Sequence, residues 1–304
     1  MDVSGDAGSG GPLKNAILIA GPTASGKSAL ALRHARETGG TVVNADSMQV
    51  YSVLRALTAR PDDQDLATAP HRLYGHVDPR EPYSTGRWMR EVADLIRAGA
   101  FADAPAIFVG GTGLYFRALL EGLSRMPDVP ADIREKWRSS LVCEGPAALH
   151  AKLAASDSEA AAAIRPSDGQ RIVRALEVLD ASGKPISHWQ KAAGEPLVDR
   201  GSARLLVIEP DRKLLADRIG LRFDRMLDAG ALDEARALAR LGVGAEMPAM
   251  KAIGVRELLA TDRGELSLDA AMDLAKTATR QYAKRQSTWF RNQLGSGWQR
   301  IAME

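Results

Sequence analysis

Ile17-Leu-Ile-Ala-Gly-Pro-Thr-Ala-Ser-Gly-Lys-Ser28 is a short apolar run that breaks into a loop flanked by glycines. Ala16 to Ala20 reads as a buried strand, and Ser28-Ala-Leu-Ala-Leu-Arg-His-Ala35 reads as the helix after it. The eight residues Gly21, Pro22, Thr23, Ala24, Ser25, Gly26, Lys27 and Ser28 fit G-x-x-x-x-G-K-[ST], the phosphate loop. Between strand and helix, backbone N–H groups at a helix N-terminus converge on an anion. Gly21 and Gly26 permit the turn, Lys27 adds a mobile cation, and Ser28 can hold Mg²⁺. An ordinary glycine-rich turn could share the spelling, but the strand before and the helix after favour the phosphate loop. The loop does not say what the phosphate is used for.

Outward from the loop, Gly39-Gly40 stops the first helix, and Thr41 to Ala45 forms a second strand that delivers Asp46 to a loop. Pro61 to Pro79 is an irregular stretch. Ser84 then opens a helix over Thr85 to Ala98, and Gly99 stops it. Ala106 to Val109 is a third strand, ending in Gly110-Gly111-Thr112-Gly113 and followed by helical Leu114 to Leu120. Strands that each deliver a polar loop before a helix or long connection make an α/β pattern. Ligands in such sheets collect beyond the strand C-termini. Gly21–Ser28, Asp46 and Gly110–Thr112 are therefore expected on one rim.

From Ser124 to Val198 the strand signals vanish. Ala131–Glu144, Pro146–Ala155, Ser158–Ile164 and Ser167–Ala181 read as alanine-rich helices. Arg204–Glu209 returns to strand. Helices follow at Arg212–Ala229, Leu232–Arg240, Lys251–Leu259 and Leu268–Asn292, with a last strand at Trp298–Ala302. The expected architecture is α/β: a P-loop NTPase-like parallel sheet flanked by helices, with an inserted all-helical subdomain. Residues 1–14 read as a disordered tail, 15–123 and 199–304 as the core, and 124–198 as the insertion.

Composition bounds the rest. The 304 residues are 45% hydrophobic and 26% charged, ordinary for a soluble globular protein. The single cysteine, Cys143, excludes an intrachain disulfide and a cysteine-based zinc site, and reads as inert packing in a reducing cytoplasm. The N-terminus lacks the basic and apolar regions of a secretory signal. No apolar run approaches the roughly 18–20 residues that span a bilayer. A cytoplasmic monomer is expected. The five histidines show no metal-ligand spacing.

Four constellations could carry chemistry. Asp46, on the rim beside bound phosphate, can act as a general base or orient Mg²⁺ through water, or can merely cap a turn. The third strand ends without the aspartate that many phosphate-loop NTPases use for Mg²⁺, and the Asn-Lys-x-Asp base-reading tetrad of switch GTPases is absent, which disfavours motors and GTPases. Its glycines suit close backbone approach to a ligand, and Thr112 can donate to that ligand or cap the next helix. Arg218 and Arg222 share a helical face and can clamp a diphosphate, or can pair with Asp217 or Asp224 at the surface. From Leu274 to Met303 there is no acidic residue, while Lys276, Arg280 and Lys284 share one face and Arg285 adjoins them. Basic stripes with interleaved aromatics suit a nucleic-acid backbone, and a solvated helix face is the plainer alternative. Arg171 and Arg174 form a second basic cluster.

Taken together, these stretches resemble the bacterial tRNA dimethylallyltransferases (tRNA isopentenyltransferases). The resemblance rests on Gly21–Ser28, Asn44-Ala-Asp-Ser-Met-Gln-Val-Tyr51, Thr58-Ala-Arg-Pro61 and Pro70-His-Arg-Leu73. It continues through Val109-Gly-Gly-Thr-Gly-Leu-Tyr115, Gln170-Arg-Ile-Val-Arg-Ala-Leu-Glu177, Gly254-Val-Arg-Glu257 and Thr279-Arg-Gln-Tyr-Ala-Lys-Arg-Gln-Ser-Thr-Trp-Phe-Arg291. It covers nearly all of the chain after the tail. It implies transfer of a dimethylallyl group from dimethylallyl diphosphate to N6 of the adenosine 3′ to the tRNA anticodon, with Mg²⁺. It further implies Asp46 as base and Thr112 near the reacting centre. Lys27, Ser28, the loop amides, Arg218 and Arg222 would hold diphosphate. Asp46, Ser47, Met48, Gln49, Thr112, Arg134, Gln170, Arg171, Ile172, Val173, Arg174, Arg280, Lys284 and Arg285 would contact tRNA. Many relatives have Gly-Thr-Ala-Lys-Pro where this chain has Leu57-Thr-Ala-Arg-Pro61. A small-molecule kinase and a non-catalytic RNA-binding module are the competing readings of the residues alone.

Overall fold

The computed structural model describes residues 11–192 and 194–303. Most of the expected tail, residues 1–10, lies outside the described residues. Leu13, the thirteenth residue of that tail, is tied in: its N–H donates to Leu197 O at 2.9 Å and its carbonyl accepts from Asp199 N at 2.9 Å.

The chain divides into two compact units, one of residues up to 120 and from 197 onward, the other of residues 121–196. The first unit is built on six strands: β1 (Ile17–Ala20), β2 (Thr41–Asn44), β3 (His71–Arg72), β4 (Ala106–Gly110), β5 (Arg204–Pro210) and β6 (Gln299–Met303). They form one sheet in the order β3-β2-β4-β1-β5-β6. Every pairing is parallel. The helices before the second unit are α1 (Lys27–Thr38), α2 (Asp63–Thr68), α3 (Thr85–Arg97) and α4 (Gly113–Glu121). Every residue of β1, β2 and β4 is buried, as a sheet covered on both faces requires. Ile17, Ile19, Ile107, Val109, Leu206 and Ile208 pack with Leu30, Ala31 and Ala35 of α1 on one face. Phe108 points the other way, edge-on to Trp88 of α3, which stacks on Tyr115 of α4 at 4.2 Å between centroids. Ser84 caps α3 by accepting from Arg87 N at 3.2 Å. The chain leaves β1 toward β2 on one side and leaves β4 toward β5 on the other. Their C-terminal ends thus bound a topological switch point, where α/β sheets bind ligands.

The second unit is helical: α5 (Ala131–Ser156), α6 (Ser158–Ala163), α7 (Gly169–Ser182) and α8 (Ile186–Gln190). Helix α5 is broken at Gly145, whose φ of 79° and ψ of 166° fall just before Pro146. Leu149, Leu153, Ile172, Leu176 and Val178 form its core. Cys143 is exposed on α5, so it is not the packing residue expected. The first unit then continues with α9 (Arg212–Asp228), α10 (Ala231–Arg240), α11 (Val255–Asp262) and α12 (Leu268–Gln293). Two short elements inside the irregular stretch, α2 and β3, were not foreseen. Among the described residues no helix is long and apolar enough to cross a membrane.

Candidate active site

The phosphate loop joins β1 to α1. Gly26 precedes α1 in the left-handed region at φ 84°, offers no side-chain cap, and leaves a first turn with no acidic residue. That N-terminus carries partial positive charge toward an incoming anion. A second left-handed residue is Ala24, at φ 63°, where an L-residue bears a cost of roughly 1–2 kcal/mol. Gly21 is required for space rather than for φ, since a Cβ there would lie 2.7 Å from Ser25 Oγ. Ser25 is fully buried and its hydroxyl has no hydrogen-bond partner among the described residues.

Lys27 is buried, and its Nζ donates to Pro22 O at 3.2 Å. Burial, then the neighbouring Arg222, push the ammonium down to about 8, against the opposing pull of Asp46. Arg222 donates to Thr23 Oγ1 at 3.3 Å and to Thr58 O at 3.5 Å. Burial lowers its pKa as well, partly offset by Asp46. A cavity of about 450 Å³ opens here, lined by Ala24 to Ser28 with Arg218, Leu221, Arg222 and Arg225. The two arginines expected to share a face therefore do so beside the loop. Asp224, one of their surface alternatives, is instead bound by Lys276 at 2.5 Å. Arg225 joins the cationic lining although the sequence reading passed over it.

Asp46 follows β2. Its Oδ1 accepts from Met48 N at 2.9 Å, the turn-capping role, while its Oδ2 accepts no hydrogen bond among the described residues. The carboxylate lies within electrostatic reach of Lys27 and Arg222. Burial, and after it Asp46, raises the phenols of Tyr74, Tyr115 and Tyr282, which stay protonated around it. Among the described residues the Thr112 side chain bonds to Ser47 rather than to α4. Its Oγ1 accepts from Ser47 N at 3.0 Å, its hydroxyl donates to Ser47 Oγ at 3.4 Å, and its N–H donates to Ala45 O at 3.2 Å. Phosphate loop, Asp46 and Thr112 thus share the rim, with Gly21 N donating to Gly110 O at 3.3 Å.

The glycines that end and follow β4 leave no room for a side chain. A Cβ on Gly110 would lie 2.0 Å from Ala45 O, one on Gly111 would lie 2.1 Å from Gln286 Nε2, and one on Gly113 would lie 2.1 Å from the Trp289 ring. Gln286 was missed as a site residue. Its Oε1 accepts from Thr23 N at 2.9 Å and its Nε2 donates to Gly111 O at 2.9 Å. Thr23 N is therefore not among the loop amides open to a phosphate. The signal was present, since Gln286 lies on the buried stripe of Ala271, Ala275, Ala283 and Phe290, where an amide is out of place. Glu234 was also missed. It accepts from Arg55 N, Ala56 N and Leu57 N at 2.9, 2.6 and 3.0 Å, fixing the turn that presents Thr58 O to Arg222.

The expected RNA contacts divide. Arg280, Lys284 and Arg285 are exposed on α12, whereas Lys276 of the same stripe is tied to Asp224. Gln49 donates through Nε2 to Thr58 O and Ala59 O, so it braces its own loop. In the helical unit Arg134, Gln170 and Arg171 are exposed and Arg174 is half-buried beside Glu177. Ile172 and Val173 are corrected: they are 0% and 6% exposed in that unit's core, because i and i+1 of an amphipathic helix cannot reach across to its polar face. Arg60 donates to Tyr51 O at 3.2 Å and occupies the space over Gly75. Among the described residues no cluster of three His, Cys, Asp or Glu could hold a metal ion.

Fold and rim define an α/β protein of the P-loop NTPase-like kind, with a carboxylate, Asp46, on the rim of the phosphate loop and none at the C-terminal end of β4. The family model for IPP transferase matches residues 49–293, and that for isopentenyl transferase matches 14–79. The chain is 62% identical to the tRNA dimethylallyltransferase of Mesorhizobium japonicum, over 97% of this chain and 92% of that protein. It is also 62% identical to that of a Chelativorans species, over 95% of this chain and 99% of that protein. Among solved structures, the tRNA isopentenylpyrophosphate transferase of Bacillus halodurans superposes with a TM-score of 0.67 at 31% identity, covering 95% of this chain and 90% of that one. A eukaryotic dimethylallyltransferase described as acting on tRNA superposes with a TM-score of 0.77 at 27% identity, over 95% and 74%. The chain belongs to the IPP transferase family, that of the tRNA dimethylallyltransferases.

Proposed function

We propose that this protein transfers a dimethylallyl group from dimethylallyl diphosphate to N6 of the adenosine adjacent, on the 3′ side, to a tRNA anticodon. The observation that carries this reading is the Asp46 carboxylate, its Oδ2 accepting no hydrogen bond among the described residues, on the same rim as the buried Lys27 and the half-buried Arg222. In the reaction the bond between the allylic carbon and the diphosphate oxygen breaks, and diphosphate leaves with the electron pair. The adenine N6–carbon bond forms, and the N6 proton passes to Asp46. The phosphate loop, Lys27, Arg218 and Arg222 stabilise the charge that develops on the leaving group. The buried Tyr115 and the half-buried Tyr74 and Tyr282 around Asp46 help keep water from competing for the allylic carbon. The adenine must leave its stack to arrive there, which an RNA loop allows at lower cost than a duplex.

Mg²⁺ fits this site as an ion carried by the diphosphate. The described residues offer no carboxylate cluster, and Ser28, exposed in the cavity lining, would supply one oxygen to the hard, mostly hydrated shell that Mg²⁺ prefers. When bound, the ion neutralises charge on the departing diphosphate. Arg280, Lys284 and Arg285 on α12 suit contact with tRNA phosphates, and the exposed Arg134, Gln170 and Arg171 with Arg174 give the helical unit, taken by itself, a polar face suited to RNA.

The test mixes purified protein, Mg²⁺, labelled dimethylallyl diphosphate and unmodified tRNA. The expected result is label on N6 of that adenosine with stoichiometric diphosphate release. Phosphorylation of a small metabolite with no label in RNA would overturn the reading.

A further inference from the structure

Gln286 is the residue through which one side chain spans both halves of the rim. It is 5% exposed, and it reaches Thr23 and Gly111 across 263 and 175 residues of sequence. Thr23 belongs to the loop that cradles the anion. Gly111 precedes Thr112, whose Oγ1 accepts from Ser47 N, one residue beyond Asp46. The Gln286 carboxamide also lies beside the carboxylate itself. A single point over Gly111, where a Cβ would stand, is 2.1 Å from Gln286 Nε2 and 3.4 Å from Asp46 Oδ2. Three residues on, the same helical face carries Trp289, packed where a Gly113 side chain would be. Helix α12, 26 residues long, thus holds both loops from one rigid rod.

We propose that Gln286 is a positioning residue that fixes the distance and orientation of the phosphate loop relative to Asp46 and Thr112, and so sets the rate of group transfer and not the affinity for either substrate. The inference rests on the transfer activity proposed above. A carboxamide is the one uncharged side chain of this length that accepts from an N–H with one atom and donates to a carbonyl with the other. The two loops it joins also meet through the backbone bond from Gly21 N to Gly110 O, longer at 3.3 Å, whereas Gln286 ties them through two bonds of 2.9 Å from a single side chain. An allylic carbon held by its diphosphate must meet an amine held near Asp46, and displacement of the two anchors by about 1 Å can lower a rate about a hundredfold.

The experiment compares wild type with Gln286→Met, Gln286→Glu and Lys276→Met. Met preserves the length but removes both hydrogen bonds. Glu keeps the acceptor for Thr23 N and loses the donor to Gly111 O, regaining it when protonated. Lys276→Met breaks the tie to Asp224 on the same helix, a change outside the site. Read-outs are the single-turnover rate at saturating dimethylallyl diphosphate and tRNA, the Kd for inorganic diphosphate with Mg²⁺, the Kd for tRNA, and the thermal midpoint. Gln286→Met is expected to lower the saturating rate by about 30- to 100-fold while both Kd values move less than threefold. The rate of Gln286→Glu relative to wild type is expected to recover as pH falls from 8 to 6. Lys276→Met is expected to lose stability with its rate kept within threefold. A Gln286→Met rate within threefold of wild type, a flat pH ratio for Gln286→Glu, or a parallel rate loss in Lys276→Met would overturn the assignment. Should Gln286→Met fail to fold, the pH ratio of Gln286→Glu decides alone. Absence of transfer by wild type would instead count against the proposed activity.

Discussion

Replacing Lys27 with Met should make the ligand-free protein more stable while it disables the site. Lys27 is buried, makes one hydrogen bond among the described residues, to Pro22 O, and faces the Arg222 guanidinium. Its ammonium falls from the ordinary 10.5 to about 8. At about 1.4 kcal/mol per tenfold change in proton affinity, carrying that charge costs the folded chain roughly 3 kcal/mol. Met keeps the aliphatic stem and removes the charge, so Lys27→Met should gain about 2–3 kcal/mol, a rise of roughly 5 °C or more in thermal midpoint for a protein of this size. The sign follows from linkage. Below pH 8 folded and unfolded chains both hold the proton, and the full penalty applies. Between pH 8 and 10.5 the folded chain releases it while the unfolded chain keeps it, so wild-type stability rises relative to the variant. Scanning calorimetry of both proteins without diphosphate, from pH 7 to 10.5, reads the gap directly. It should be constant below pH 8 and close above it, and inorganic diphosphate binding by the variant should fall at least tenfold. A variant less stable than wild type at pH 7, or a gap unchanged with pH, would refute the reasoning.

Asp46→Asn should lower the single-turnover transfer rate by about 10²- to 10⁴-fold while tRNA affinity, measured by filter binding, stays within threefold; an active Asn variant would remove Asp46 from the role of base. Ser25→Ala deletes a buried hydroxyl that has no partner among the described residues, so stability should hold or rise by about 1 kcal/mol. If that hydroxyl serves diphosphate, affinity for inorganic diphosphate should drop about tenfold in titration calorimetry, and unchanged affinity would exclude the contact. Replacing Lys284 and Arg285 together by Ala should weaken tRNA binding and reduce the slope of log K against log salt by about 1.4–1.8, and an unaltered slope would place the RNA elsewhere.

The parts of this molecule that could be read from sequence are those whose determinants are neighbours in the chain. The strand–loop–helix around Gly21–Ser28, the Ser84 cap of α3 and the break at Gly145-Pro146 are each specified within a few residues. Parallel strand order brought Asp46, Thr112 and the phosphate loop to one rim as expected. Short elements escaped because two residues of β3 and six of α2 give no period to detect. The reading of the stripe on α12 overreached at Lys276, since charge periodicity cannot tell a solvated face from one paired with Asp224 on α9. The run 170–174 overreached likewise at Ile172 and Val173, where a motif boundary ignored the helix period. The buried stripe of α12 marks Gln286 as out of place, but its partners, 263 and 175 residues away, and those of Glu234 are written in no local pattern.

The bond between Thr23 and Gln286 has a consequence for how the protein is made. A chain synthesised from its N-terminus exposes the phosphate loop early, yet the side chain that ties this loop to the rest of the rim follows 263 residues later. β5, the neighbour of the central strand β1, is likewise made only after the entire helical unit. The partly made chain holds an anion-binding motif without a finished site, and its central strand waits with one edge uncovered. Activity should therefore switch on abruptly, as the last helix docks, rather than grow with chain length.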